Sequence, residues 1–389
     1  MNGRTRTILV AHPSPDLYGS DRQLLETIRA LIDAGHRVNT ALPASGPLVP
    51  ELEALGARVA VVPFTVLRKS LLSPRSLAGL AARAVGEIAR LRSLIRADGA
   101  DLLLVNTVTL PWWAPAGRAA GVPVLAHVHE AEDTQNLLVR AGLNAPLLAA
   151  SRVVVNSRAA RDTLVRAQPL LERRTRVVHN GVPGPQTEPT PLRERTPHAT
   201  FRVAMVGRLS PRKGVDVALD ALGHLRADGL NASLSVCGTV FPGYEWYEAE
   251  LRERAERPDL AGHVELLGYV HPTWPVLDEA DAVVVPSRVE PFGNTAVEAM
   301  HAARPLVASR VQGLAEVVTD GVTGLLVAPG SPRALADALL SLAADPERAR
   351  VLARNARQEA AERFGVERYR ATMARIVEDL LAQGADAPA

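Results

Sequence analysis

Pro183-Gly184-Pro185-Gln186-Thr187-Glu188-Pro189-Thr190-Pro191 stands between two series of short apolar runs, and its position decides the fold. Proline fixes φ and removes a backbone donor, so a segment this rich in it is neither helix nor central strand and reads as a linker. Before it come Thr7–Ala11, Arg37–Leu42, Arg58–Val62, Asp101–Val105, Val122–Val128, Arg152–Val155 and Arg176–His179. After it the pattern restarts with Arg202–Val206, Ala232–Cys237, Val264–Leu267, Ala282–Val285, Pro305–Ala308 and Gly324–Val327. These runs lack the polar alternation of a half-exposed strand, and the segments between them are long enough for crossover helices. They therefore read as buried parallel strands. The expected class is α/β, with two doubly wound domains: residues 1–183, a Pro-rich linker over 184–200, and residues 201–365. A final helix, Val366–Ala382 within 366–389, is open to packing back across the hinge. Open α/β sheets bind ligands beyond the carboxyl ends of their strands, so two such domains facing each other would hold a site in the cleft between them.

Composition narrows the function classes. The chain has 389 residues, enough for about two or three domains, and a formal net charge of +2 with acids and bases interspersed. That overall field gives no support to a nucleic-acid partner. The single cysteine, Cys237, excludes an internal disulfide and a zinc ribbon. Ile8-Leu9-Val10-Ala11 is too short for the apolar core of a secretory signal, and no apolar stretch is long enough to span a bilayer. The expected compartment is the cytoplasm.

Chemistry concentrates at Glu290-Pro291-Phe292-Gly293-Asn294-Thr295-Ala296-Val297-Glu298, two carboxylates across a Pro-Phe-Gly corner. Pro291 and Gly293 predict a turn, Asn294 or Thr295 is expected to cap a helix, and the apolar residues after them continue it. Glu298 then lies four residues into the helix, roughly 6 Å along its axis. Between the acids lie uncapped N–H groups, a seat for a phosphate. Two hydroxyl-binding carboxylates flanking a diphosphate suit a sugar nucleotide; the competing reading is an ordinary loop with two solvated acids.

Each half also opens with a Gly-containing loop after its first strand. In the first half this is Asp16-Leu17-Tyr18-Gly19-Ser20-Asp21, before a helix expected over Gln23–Ile32. In the second it is Gly207-Arg208-Leu209-Ser210-Pro211-Arg212-Lys213-Gly214, before Val215–Leu225. Small residues allow close backbone approach, and helix N-termini favour anions. Neither loop is a Walker A or a full dinucleotide fingerprint. Arg208 and Lys213, a guanidinium and an ammonium around one tight turn, suit a diphosphate, with surface charge as the competing reading.

His127-Val128-His129-Glu130 ends the fifth run of the first half. Residues two apart share a strand face, which brings a metal pair into question, but no further cluster offers a third ligand at recognisable spacing. A hydrogen bond from the histidine at the strand end is the stronger expectation. No two aspartates are separated by a single residue, so an Asp-X-Asp metal-diphosphate motif is missing and cationic side chains with helix N-termini would bear the leaving-group charge. No metal and no cofactor are expected.

Arg68, Lys69, Arg75, Arg83, Arg90, Arg92 and Arg96 make a basic stretch over 68–96, with apolar residues at helical spacing through it. It suits either peripheral contact with anionic lipid, at the inner face of the plasma membrane, or an ordinary packed helix with a solvated arginine face. Trp112-Trp113, between Pro111 and Pro115, suit either stacking of an acceptor or filling between helices.

Taken in order, these pieces resemble the retaining GT-B glycosyltransferases of family 4, over nearly the whole chain. The resemblance rests on Gly19-Ser20, His129, Val155-Asn156-Ser157, Val178-His179-Asn180-Gly181-Val182, Gly207 to Gly214, Glu290 to Glu298, and Gly313-Leu314-Ala315-Glu316-Val317-Val318. It implies two Rossmann-like domains facing across a cleft. It also implies that Arg208 and Lys213 hold the donor diphosphate, that Glu290 and the Phe292, Gly293, Asn294 and Thr295 backbone hold sugar and phosphate, and that Glu298 binds ribose. His129 would line the sugar side. Base contacts would come from loops around Cys237-Gly238-Thr239 and Gly268-Tyr269-Val270, with Gly207, Gly19 and Ser20 lining the donor. Two departures stand out: Gly19-Ser20 and Gln312-Gly313 each keep one glycine where the family usually has a pair.

The implied activity is a metal-independent transfer of a hexose-type sugar from a nucleoside diphosphate to a glycan or lipid-linked acceptor, in cell-surface polysaccharide or glycolipid synthesis. The alternatives are a nucleotide-sugar epimerase and a non-catalytic sugar-nucleotide-binding protein.

Overall fold

The computed structural model describes residues 5–67, 74–131, 136–196, 198–241 and 243–385. The chain divides into two units, residues 1–181 with 366–389, and residues 182–365. Each is built on one parallel sheet.

The first unit contains β1 (Thr7–Ala11), β2 (Arg37–Leu42), β3 (Arg58–Val61), β4 (Leu102–Val105), β5 (Val124–Val128), β6 (Arg152–Val155) and β7 (Thr175–Val177). Their spatial order is β3-β2-β1-β4-β5-β6-β7, and every pairing is parallel. β1 is buried along its whole length, which is why it is apolar from Ile8 to Ala11. Successive side chains still point to opposite faces. Ile8 and Val10 pack on one side with Leu24, Ile28 and Leu31, whereas Leu9 and Ala11 pack on the other with Leu91 and Ile95.

The second unit contains β8 (Phe201–Val206), β9 (Ala232–Cys237), β10 (Val264–Gly268), β11 (Ala282–Val285), β12 (Leu306–Ser309) and β13 (Leu325–Val327). They are ordered β10-β9-β8-β11-β12-β13, again all parallel. Val203 and Met205 face one core cluster and Ala204 faces the other. Both sheets reverse their strand order beside the first strand, between β1 and β4 and between β8 and β11. These are the topological switch points where such sheets open a crevice at the strand ends.

The helix expected over Val366–Ala382 spans Val366–Ala385 and belongs to the first unit. Tyr369, Met373, Val377 and Leu380 recur at helical spacing and are buried in the cluster that holds Leu24 and Ile28. Each buried side chain of this size contributes about 1.5–3 kcal/mol, so this face is a major part of the first core. Tyr369 also shares a hydrogen bond with the Thr27 hydroxyl at 2.5 Å.

The Pro-rich segment expected as a linker lies along the second unit. The fully buried Arg304 guanidinium donates to the Thr190 carbonyl at 2.7 Å, and Arg193 donates from Nε to the buried Asp281 carboxylate at 2.7 Å. Carbonyls in a segment that forms no helix or sheet are left to accept from side chains, and these two arginines use them or anchor beside them.

Candidate functional site

In the second unit, four loops leave the carboxyl ends of β8, β9, β11 and β12, and three are bolted together around Glu290. Lys213 ends a single 3-10 turn, Pro211–Lys213, and its Nζ donates to Glu290 Oε2 at 2.5 Å. Ser287 Oγ donates to the same oxygen at 3.0 Å. The Glu290 N–H donates to Gln312 Oε1 at 3.1 Å, and the Gly313 N–H returns to the Glu290 carbonyl at 3.0 Å. Glu290 is 7% exposed. Burial by itself would raise its carboxyl, but the Lys213 ammonium, the Arg212 guanidinium and the hydrogen bonds from Lys213 and Ser287 hold it below the usual range. The solvated-acid reading of Glu290 is therefore excluded: it is an ionised carboxylate at the switch point of the sheet.

A second clamp sets this loop pair. The Arg288 guanidinium binds both Asp216 oxygens, at 2.9 and 2.6 Å, and donates to the Pro211 carbonyl at 2.7 Å. The Tyr247 hydroxyl donates to Asp216 at 2.7 Å. Gly214 follows Lys213 at φ 72°, and a Cβ there would lie 2.2 Å from the Pro286 carbonyl oxygen, so only glycine lets the two loops meet. Arg208, from the same loop as Lys213, lies over the Phe241 ring at 3.1 Å from its centroid.

The helix after the Pro-Phe-Gly corner is Asn294–His301. The expectation that Asn294 or Thr295 caps it does not hold. Gly293 is the cap residue, at φ 110°, and no side chain caps the helix. A side chain at 293 would be strained by that φ and would meet Leu314 at 2.5 Å, so glycine turns the chain into the helix there. Phe292 is buried in the core below, Asn294, Thr295 and Glu298 are half-buried, and Tyr269, just past β10, is 53% exposed.

In the first unit the corresponding strand ends carry histidines. The Gly19-Ser20 pair lies inside the first turn of a helix, Gly19–Asp33, and not in a preceding loop. The reason is Asp21, whose Oδ2 accepts the Tyr18 N–H at 2.7 Å and so starts the helix earlier than the apolar periodicity suggests. His129 follows β5. Its Nε2 lies 3.0 Å from Asn106 Oδ1, and its own N–H donates to Glu130 Oε2 at 3.0 Å. Glu130 in turn accepts from the Thr107 hydroxyl.

Burial, with His127 and His12 beside it, holds the His129 imidazole well below its usual range, so the ring is neutral. His127 sits 4.0 Å away, centroid to centroid, as the two-residue spacing on a strand requires. It is fully buried, neither of its ring nitrogens has a hydrogen-bond partner among the described residues, and burial pushes it down to about 3. Among the described residues no group of three or more His, Cys, Asp or Glu side chains is arranged to hold a metal ion.

Trp113 is 1% exposed and meets Phe64 edge-on at 5.2 Å, so it fills the core between helices and is not free to stack on an acceptor. Trp112 is partly buried against the same cluster. The basic stretch lies on the helix Pro74–Asp98, with Leu91 and Ile95 buried and Arg83, Arg90, Arg92 and Arg96 exposed. Arg68 and Lys69 lie outside the described residues. Sequence reasoning missed Asp21, His12, Asn106, Arg288 and Asp216; His12 and Asn106 are 94 positions apart and Asp216 and Arg288 are 72, while Asp21 meets His12 only across the turn after β1.

Residues 18–183 match the family described as Glycosyltransferase Family 4, and residues 191–359 match glycosyl transferases group 1. Among curated proteins, the chain is 29% identical to D-inositol 3-phosphate glycosyltransferase 1 of Catenulispora acidiphila, over 89% of this chain and 87% of that one. It is 37% identical to the glycogen synthase of Mycobacterium tuberculosis over 48% of this chain, and that match spans only 44% of the glycogen synthase. Among solved structures, Anabaena HepE in complex with UDP-glucose superposes with a TM-score of 0.80 at 25% identity, covering 96% of this chain and all of that one (100%). Sucrose-phosphate synthase from Thermosynechococcus elongatus shares the fold, with a TM-score of 0.74 at 22% identity over 97% and 100% of the two chains. The chain, two Rossmann-like units of GT-B type matched in succession by these two domains, belongs to the glycosyltransferases of the family 4 and group 1 kind.

Proposed function

We propose that the protein is a retaining, metal-independent hexosyltransferase that moves a sugar from a nucleoside diphosphate to a glycan or lipid-linked acceptor, in cell-surface polysaccharide or glycolipid synthesis. The observation that carries this reading is the buried Lys213–Glu290 pair at the β8/β11 switch point, whose Glu290 lies in the loop that leads through Gly293 into the helix Asn294–His301. Lys213 and Arg208 supply positive charge to the departing diphosphate, and the Phe292–Thr295 backbone receives its phosphate oxygens. Glu290, kept ionised, accepts sugar hydroxyls, and Glu298 takes the ribose. In this assignment His129 serves the sugar, the loop at Tyr269 the base, and Gly19 and Ser20 the phosphates. Neither glutamate serves as a nucleophile. The bond from the sugar's anomeric carbon to the leaving phosphate breaks, the bond to the acceptor oxygen forms on the same face, and the acceptor proton passes to the leaving phosphate. Preorganised charge, aimed at the phosphate as it departs, lowers the barrier to such a transfer more than any other single effect.

HepE is described with UDP-glucose, which supports UDP-glucose as the first donor to test. The Catenulispora relative is named for D-inositol 3-phosphate, which belongs in the acceptor panel beside glycans and lipid-linked sugars. Cytoplasmic placement is part of the proposal: no helix among the described residues is long and apolar enough to cross a membrane. The exposed arginines of the Pro74–Asp98 helix favour peripheral contact with anionic lipid.

Thermal-shift screening against UDP-, GDP-, ADP- and dTDP-sugars tests donor binding, since a ligand held only by the folded chain raises its apparent stability. UDP-glucose is expected to raise the melting temperature of the wild type and to do so less for Glu298→Ala at equal concentration. No shift with any of the four, or release of an epimerised sugar nucleotide in the absence of acceptor, would overturn the proposal.

A further inference from the structure

A buried polar chain runs across the switch point of the first sheet and ends on His129. Asp21 Oδ1 lies 2.8 Å from His12 Nε2, Asn106 Nδ2 lies 3.0 Å from His12 Nδ1, and Asn106 Oδ1 lies 3.0 Å from His129 Nε2. His12 is fully buried, Asp21 is 3% and Asn106 1% exposed. His12 follows β1, and Asn106 follows β4, its neighbour in the sheet, with the Asn106 N–H held by the Ala11 carbonyl at 3.0 Å. Such a chain has a direction, because each member must donate where the next accepts. The Asp21 carboxylate only accepts, so His12 carries a proton on Nε2, and the Asn106 NH2 placed 3.0 Å from His12 Nδ1 makes that nitrogen the acceptor. Asn106 thus turns its oxygen to His129. His129 then carries its proton on Nε2 and keeps a lone pair on Nδ1, an acceptor for a sugar hydroxyl.

We propose that Asp21, His12 and Asn106 are positioning residues that set the tautomer and ring orientation of His129. The consequence for the reaction rests on the assignment of His129 to the sugar side made above; the relay itself does not. Asp21 is doubly committed, since its Oδ2 accepts the Tyr18 N–H at 2.7 Å. In Asp21→Asn that helix-capping bond keeps the amide oxygen at the Oδ2 position and turns the NH2 to His12 Nε2. His12 must then accept at Nε2 and donate from Nδ1, Asn106 must flip, and His129 must accept at Nε2 with its proton moved to Nδ1. One substitution of nearly unchanged volume inverts the whole chain.

Histidine-selective ¹⁵N labelling of the full-length protein with two-bond ¹H–¹⁵N correlation reads each tautomer directly. The His129 signals among the ten histidines are assigned by their loss in His129→Gln. His129 is expected to be protonated on Nε2 in the wild type and on Nδ1 in Asp21→Asn. Donor turnover is expected to fall roughly 10- to 100-fold, the effect of removing an orienting partner behind a working histidine, with KM for the donor changing less. An unchanged His129 tautomer in Asp21→Asn overturns the relay. An inverted tautomer with normal turnover upholds the relay and overturns the placement of His129 against the sugar. Should Asp21→Asn fail to fold, Asn106→Asp carries the test. An acceptor-only side chain at 106 keeps His129 protonated on Nε2 and leaves His12 doubly protonated between two carboxylates. A His129 tautomer that changes, or a His12 that stays singly protonated, then sinks the proposal.

Discussion

Replacing Lys213 with methionine removes the ammonium from a pair whose side chains are only 17% and 9% exposed, while keeping most of the apolar stem. Glu290 would then be a buried carboxylate that keeps the Ser287 hydroxyl as a donor and feels the charge of the Arg212 guanidinium. Breaking a buried pair from one side costs about 3–5 kcal/mol, and the surviving Ser287 bond puts this case near 3 kcal/mol at neutral pH. Spread over the unit of residues 182–365, that lowers its melting temperature by about 6–12 °C in calorimetry of the full chain.

The pH dependence follows from the direction of the Glu290 shift. In the wild type its folded pKa lies below the unfolded value of about 4.3, so its contribution is complete above that pH and is lost as pH falls through the folded pKa. Without Lys213, burial dominates and the folded pKa rises above the unfolded one. The variant then relieves its penalty by taking up a proton, and its deficit relative to wild type narrows between about pH 6 and pH 4. Adding Glu290→Gln removes the orphaned charge, so the double variant is expected within about 1 kcal/mol of wild type at neutral pH. A double variant as unstable as Lys213→Met, or a deficit that does not change with pH, would refute the assignment of the pair as a desolvated ion pair.

Two further outcomes are expected from the geometry. Gly214→Ala forces a left-handed backbone on alanine and drives its Cβ toward the Pro286 carbonyl, so a loss of about 1–3 kcal/mol in urea unfolding is expected, together with a weaker UDP-glucose thermal shift as Lys213 is displaced. A stable protein with an unchanged shift would show that the two loops do not set each other. Tyr369→Phe deletes the bond to Thr27 while keeping the ring packed, and about 1 kcal/mol should be lost from the first unit; a neutral result would mean that the Thr27 hydroxyl is satisfied by its bond to the Gln23 carbonyl.

The sequence by itself determined the secondary structure and the fold class. Each of the thirteen strands named in the structure overlaps a short run readable in the chain, because a parallel strand covered on both faces, as β4 and β11 are, is apolar throughout and helices must fill the crossovers; the edge strand β3 is mostly exposed. It also marked where the chemistry gathers, since Lys213 and Glu290 lie in the loops that leave β8 and β11. Two expectations failed: the Asp21 carboxylate, by accepting the Tyr18 N–H, began its helix at Gly19, and the left-handed backbone open to glycine made Gly293, and not Asn294 or Thr295, the cap. Only the tertiary structure decided that Lys213 and Glu290 form one ion pair, that Trp113 is core, that the final helix completes the first unit, and that His12, Asp21 and Asn106 converge on His129. Local pattern is written in the periodicity of burial. Hydrogen bonds between residues 77 or 94 positions apart depend on which strands become neighbours, and the reversal of strand order beside β1 and β8 makes that choice.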